Sequence, residues 1–306
     1  MSKDRAISFP RLLSLTGWVA IAGLAVVSRA VAQDAFPPNN VAEAGQTFET
    51  EACFLKSASI ENGSGKVEVS SLDAMWSWSF LSLEYQGKSY NWQSPAANPF
   101  SPAHEPVWNT LHTTWLTAGY SNSITRNLHY SAEADVFVSF EREHFGLVGN
   151  DADGALFYSF PHDWYIYGGM AVHHSPFQTD LYPLLGVSHG VESNLGWSFT
   201  VGTPETKIKY RFSTRYSLDA GYSIFNVDYY LLAVDEVEDH DRYLETSDNR
   251  LSMVFNMEPR RNLCMGIGVQ YTVDNELLFY SANQQNRTSY RMSSVPGLLL
   301  KLQYRF

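Results

Sequence analysis

Cysteine is nearly absent from this 306-residue sequence, with only Cys53 and Cys264, which excludes a small fold stapled by disulfides. Charge is sparse as well, at 17% Asp, Glu, Lys and Arg against a usual value of about 25%. Basic residues are outnumbered, 21 to 32, giving a net charge of −11 and a pI near 5.2. That balance excludes the basic footprint nucleic acid requires, so no nucleic-acid partner is expected. Long apolar runs are missing beyond the N-terminus. Tyr229–Val234 is among the longest, far short of the roughly 20 residues a membrane-spanning helix needs. Aromatics are plentiful instead: 18 Tyr, 18 Phe and 8 Trp supply core-forming surface that an intrinsically disordered chain lacks.

The first 32 residues follow the export pattern. Lys3, Arg5 and Arg11 form a basic start, Gly17–Val27 an apolar stretch, and Ala30-Val31-Ala32 a small-residue cleavage site. Cleavage is expected before Gln33. Losing four basic residues and one acidic one (Lys3, Arg5, Arg11, Arg29; Asp4) takes the net charge from −11 to −14. An exported chain meets an oxidising compartment where Cys53 and Cys264 could pair. Unpaired thiols are the expectation, with Cys264 on a strand and Cys53 in an N-terminal extension.

Beyond the signal the dominant period is two. Leu128, Tyr130, Ala132, Ala134, Val136, Val138 and Phe140 alternate with His129, Ser131, Glu133, Asp135, Ser139 and Glu141, interrupted by Phe137. Ile208, Tyr210 and Phe212 alternate with Lys207, Lys209 and Arg211, and Leu263, Met265, Ile267, Val269 and Tyr271 with Cys264, Gly266, Gly268 and Gln270. Such segments, separated by Gly, Asn, Asp, Pro and Ser clusters, read as antiparallel strands. A soluble sandwich and a closed barrel with a lipid-facing exterior both fit the pattern.

The final strand separates them. Leu298, Leu300, Leu302, Tyr304 and the terminal Phe306 alternate with Lys301, Gln303 and Arg305. This resembles the C-terminal signature of bacterial outer-membrane β-barrels, whose assembly machinery recognises a last amphipathic strand ending in Phe. Pro183-Leu184-Leu185-Gly186, Trp197 and the segment Gly202–Tyr210 resemble uncharacterised outer-membrane barrel families that carry no established activity. The resemblance implies an all-β, closed antiparallel transmembrane β-barrel in the outer membrane of a Gram-negative-type bacterium, in contact with lipid and lipopolysaccharide.

The expected organisation is a signal peptide over 1–32, a flexible periplasmic extension over 33–70 and a barrel over 71–306. At roughly 20 residues per strand and connection, the barrel should have about 12 strands, with 10 the nearest even alternative. Asn91–Trp108, Phe145–Gly154 and Asp235–Asn249 read as long mobile connections, the last carrying an acidic run from Asp235 to Asp241.

Period two sends the charges of these strands into the lumen. Glu133, Asp135 and Glu141 form an acidic stripe, and Lys207, Lys209, Arg211 and Arg215 a basic one. Trp76, Trp78, Trp115, Trp164 and Trp197 are expected in interfacial girdles. His129-x-Ser131-x-Glu133 puts an imidazole and a hydroxyl on one face, as a lipid hydrolase would, but that face is the lumen side. His173 and His174 are adjacent and should face opposite ways, which disfavours a shared metal. No cofactor is expected. The sequence thus predicts a narrow pore or solute channel, with a structural or surface-interaction barrel as the alternative and a lipid hydrolase behind both.

Overall fold

The computed structural model describes residues 46–61, 65–93, 108–141, 146–176, 178–190, 194–203, 205–230, 243–280 and 287–306. The expected signal peptide, the first part of the extension and the acidic run at 235–241 lie outside the described residues. The chain forms β1 (Gln46–Leu55), β2 (Ala58–Ser59), β3 (Lys66–Trp78), β4 (Leu81–Gln93), β5 (Thr110–Ser123), β6 (Leu128–Phe140), β7 (Leu147–Phe160) and β8 (Trp164–Ser175). It continues with β9 (Gln178–His189), β10 (Gly196–Thr203), β11 (Glu205–Arg211), β12 (Tyr216–Tyr230), β13 (Tyr243–Arg260), β14 (Leu263–Tyr280), β15 (Arg287–Met292) and β16 (Pro296–Arg305).

All pairings are antiparallel, and β1 closes the ring between β16 and β3. Two short strands add no separate place to it. β2 pairs with the start of β3 beyond β1, and β15 with the end of β14 beyond β16. With β2 and β15 set aside, the ring has 14 of the 16 strands. The expectation of about 12 is therefore too low, for three reasons. β1 lies inside the span read as an extension, so the barrel begins at Gln46 and not at residue 71. β3 and β4 read as one segment, since only Ser79 and Phe80 separate them and Ser79 turns the chain at φ 54°. Finally, Pro183 and adjacent Leu residues mask the period of β9.

The expected connections are also shorter than read. Leu147–Gly154 belongs to β7 and Tyr243–Asn249 to β13. Polar residues continue these strands because a barrel strand can run past the hydrocarbon, a band only about 25 Å tall.

One end of the barrel has short turns, at 79–80, 124–127, 161–163, 212–215 and 261–262, and Phe306 lies at this end. Outward residues on every wall are apolar and exposed, among them Leu116, Val136, Ile166, Leu185, Ile267 and Leu300. Around the turn end they become aromatic: Trp78, Phe80, Phe160, Trp164, Trp197 and Phe212. Trp115 does not join them, because it falls on the inward face of β5 and is buried. The odd-numbered positions there are the inner ones, so the expectation that Trp115 belongs to a girdle is wrong.

Candidate lumen site

The inward face of β6 carries His129, Ser131, Glu133, Asp135, Phe137 and Ser139, while Ala132, Ala134 and Val136 are exposed outside. Register then assembles an acidic wall. Glu133 stands opposite Asp153 and Asp135 opposite Asp151 on β7, and Asp151 opposite His173 on β8. His173 Nδ1 lies 2.5 Å from Asp151 Oδ1, and its ring stacks on Phe137 at 5.5 Å and 8°. Phe137, which breaks the alternation of charge in the sequence, is the shelf that positions this imidazole. Gly149 makes room for it: a Cβ there would sit 2.2 Å from Phe137 Cζ. His174 points the other way, to Thr179 Oγ1 at 2.7 Å.

The basic stripe lies elsewhere in the ring and has its own partners. Lys209 Nζ is 3.8 Å from Asp219 Oδ2 on β12, and Arg211 Nη2 donates to Glu258 Oε2 on β13 at 2.8 Å. Lys207 shares their face of β11. Arg215 does not belong to the stripe. It sits exposed in the turn between β11 and β12, because β11 ends at Arg211 and leaves residues 212–215 to reverse the chain. Glu141 lies just past the end of β6 and is buried.

A third group crosses the lumen. Lys88 Nζ on β4 contacts Asp248 Oδ2 on β13 at 2.6 Å and donates to Thr246 Oγ1 at 3.3 Å. These two strands are separated in the ring by β3, β1, β16 and β14. Arg250 Nη2 meets the same Asp248 oxygen at 3.2 Å. Beside them Gln86 Nε2 donates to Asp73 Oδ1 at 2.6 Å, and Lys301 pairs with Glu49. Lys88 is 2% exposed, and an ion so deep persists only when paired and hydrogen-bonded. A cavity of about 20 Å³ bounded by Cys53, Lys88, Asp248, Arg250 and Asn275 remains between them, room for about one water molecule. Cys53 and Cys264 are free. Their partners on β16, Leu299 and Gln303, are four residues apart, roughly 13 Å along a strand and beyond disulfide reach.

Above this ionic layer the end opposite the turns is apolar. Tyr90, Trp108, Leu111, Trp115, Phe137 and Leu147 pack against Val227, Tyr229, Leu244, Leu277 and Phe279. Trp92 Nε1 donates to the Trp108 carbonyl at 2.7 Å, and the Trp108 ring lies 5.8 Å from Phe279. Sequence reasoning missed this cluster, since its members are scattered over strand ends and look like polar-lumen interruptions.

Of the hydrolase-like triplet, His129 and Ser131 are both buried on the lumen face. The hydroxyl that His129 Nδ1 meets is that of Ser123 on β5, at 2.8 Å, and not its strand neighbour Ser131. The final strand behaves as its sequence implies. Leu300 and Leu302 face outward, and β16 bonds to both β14 and β1, sealing the ring.

A closed antiparallel ring with an apolar, aromatic-rimmed exterior and a polar interior defines a transmembrane β-barrel, and the protein is a barrel of this class. No protein-family model matches the sequence, and no curated protein is detectably similar to it. Among solved structures, the toluene transporter TodX of Pseudomonas putida is 9% identical, covering 92% of this chain and 95% of its own, with a TM-score of 0.39. An outer membrane channel from Pseudomonas putida F1 is 12% identical over 86% of this chain and 96% of its own, with a TM-score of 0.41. The monoaromatic hydrocarbon channel CymD is 12% identical over 92% and 94%, at 0.35. Likenesses this distant assign neither a family nor a substrate.

Proposed function

We propose that the protein is a narrow solute channel of the outer membrane that favours cations. The observation carrying this reading is the acidic wall: Glu133, Asp135, Asp151 and Asp153 stand in direct register on the inner face of β6 and β7. They remain partly exposed within the barrel, so water reaches them. On β11, elsewhere in the ring, Lys209 and Arg211 of the basic stripe pair with Asp219 and Glu258. A lumen lined by carboxylates favours passage of positive charge. In planar bilayers under a salt gradient the purified protein is expected to give a cation-selective reversal potential, and Asp151→Asn with Asp153→Asn should move it towards anions. Conductance indistinguishable from an empty bilayer, both for the wild type and for a Phe279→Ala variant with a loosened apolar cluster, would overturn the reading.

That second outcome would favour the alternative, a structural or surface-interaction barrel, which the packed apolar cluster at one end suits. A lipid hydrolase has the least support, since Ser131 faces the lumen. Equal phospholipid turnover by wild type and Ser131→Ala would remove that hydroxyl as nucleophile. We further place lipopolysaccharide around the exterior and assign Leu300, Leu302, Tyr304 and Phe306 as the segment read by the barrel assembly machinery.

A further inference from the structure

The wall is very uneven in height. β13 and β14 each have 18 residues, whereas β10 has 8 and β11 has 7, a difference of roughly 33 Å along the strands. The short pair leaves a notch. β9 pairs with β10 only from Leu185 onward, and β12 with β11 only up to Ser223. Among the described residues, 178–184 of β9 and 224–230 of β12 therefore have no ladder partner on the side of the notch.

The tall strands do not stand upright beside it. Alternation on β13 makes Leu244 and Thr246 inner residues and Glu245 an outer one, yet Glu245 is 7% exposed. Its partner Leu278 on β14 is equally hidden, between the inner Leu277 and Phe279. The outer side of these strand tops touches the inner side of β9. Tyr280 donates to Gln178 Oε1 at 3.3 Å and to Glu245 Oε2 at 2.9 Å, and the side chains of Tyr182 on β9 and Asn226 on β12 lie near each other. β12 comes within 8 Å, Cα to Cα, of β6 and β7, strands far from it in the ring. The tops of β12, β13 and β14 are thus folded into the barrel.

The fold lies at one level. Asn249 pairs with Val273 but Ser247 with Glu276, so β14 carries a bulge at Asp274, where φ is 54°. At the same height the β15–β16 strand is interrupted at 293–295, where Val295 exchanges hydrogen bonds with Thr272. The neighbouring β1–β2 strand is interrupted at 56–57. Bulges bend a strand locally and re-aim its side chains. Below the bulge the even residues of β14 face inward, and above it Asn275, Leu277 and Phe279 do.

We propose that 224–230, 243–247 and 275–280 form a lid, made from the barrel wall itself, that swings about the Asp274 bulge and so opens or closes the lumen. The lid has neighbours on three sides: the apolar cluster beneath it, Lys88 at its root through Thr246 and Asp248, and Gln178 and Tyr182 along its outer face. Its β12 edge is already unpaired at the notch, and its β14 edge is laddered to 287–292 of β15, so the lid moves either with β15 attached or by opening that one ladder. This inference rests on the channel reading for its purpose and on the geometry alone for its existence.

The test uses the full barrel with Tyr182→Cys and Asn226→Cys, joined or not by a short bifunctional thiol reagent. A separate Leu277→Cys in the same background, with Cys53→Ser and Cys264→Ser to remove the two free thiols, reports lid motion by labelling of position 277 itself with a bulky, membrane-impermeant maleimide. Leu277 is fully buried when the lid is in. Cross-linking is expected to cut both conductance and labelling at least tenfold. Labelling unchanged by the cross-link would overturn the lid, whatever the conductance. Labelling lost on cross-linking while neither form conducts would keep the lid and refute the channel. Should the cysteine pair fail to fold, Tyr182→Phe with Gln178→Ala removes two contacts to the outer face. That variant should label Leu277→Cys several-fold faster, and an unchanged rate would equally overturn the lid.

Discussion

The wall from β6 to β9 and the upper parts of β12 to β14 are built from the same strand chemistry and meet different surroundings. On β6 one face meets the exterior and the other the lumen, so residue type tracks position: Ala132, Ala134 and Val136 outside, Glu133 and Asp135 inside. In the upper β14, Leu277, Leu278 and Phe279 are consecutive and all buried. Both faces there pack against protein, so nothing selects alternation. Period two reports a boundary between two media, and it disappears where a strand leaves that boundary.

The sharpest way to break this comparison is at the root of the folded-in segment. Lys88→Met leaves Asp248 and Arg250 without their cross-lumen partner and is expected to cost about 3–5 kcal/mol, measured by urea unfolding of protein reconstituted in lipid vesicles. An effect below that of any lipid-face change would mean that the ion pair is solvated.

On the regular wall the largest effect should come from outside. Ala134→Arg is expected to cost roughly 2–4 kcal/mol near the bilayer midplane, and Asp135→Asn on the opposite face much less. The reverse order in the same unfolding assay would invert the face assignment and turn His129 and Ser131 towards lipid.

Close approach of backbone gives a third contrast. A Cβ on Gly169 would sit 2.1 Å from the Gly154 carbonyl oxygen, whereas one on Gly154 would be 3.7 Å from its nearest neighbour. Gly169→Ala should cost about 1–3 kcal/mol through forced backbone shifts, and Gly154→Ala should remain within about 0.5 kcal/mol. Amide hydrogen exchange along β7 and β8 should show faster opening only in the first variant. The smallest effect is expected at Arg215, read as a lumen residue but placed in an exposed turn. Arg215→Ala should leave both unfolding and reversal potential unchanged, and a shifted reversal potential would return it to the lumen.

The acidic wall was only partly legible. Glu133 and Asp135 were readable from their own strand. Asp151 and Asp153 were hidden because Gly149 and Asn150, near the start of β7, resemble a loop. His173 was visible as a residue, but its partner Asp151 depends on the register of β7 against β8. Cys53 was misplaced with its whole strand, because β1 falls inside the span 33–70 read as an extension.

By itself the sequence determined that the strands carry one apolar and one polar face. Apolar stripes at period two with no helical span, ending on Leu300, Leu302, Tyr304 and Phe306, admit a barrel exterior facing lipid. These are local properties, set by each residue and its second neighbour along one strand. Tertiary structure decided the number of strands, the alignment of four carboxylates, the pairing of Lys88 with Asp248 across the lumen and the inward fold of β12 to β14. Each of those depends on residues brought together from distant strands, and on a single bulge at Asp274 that exchanges inside for outside without changing the composition of the strand.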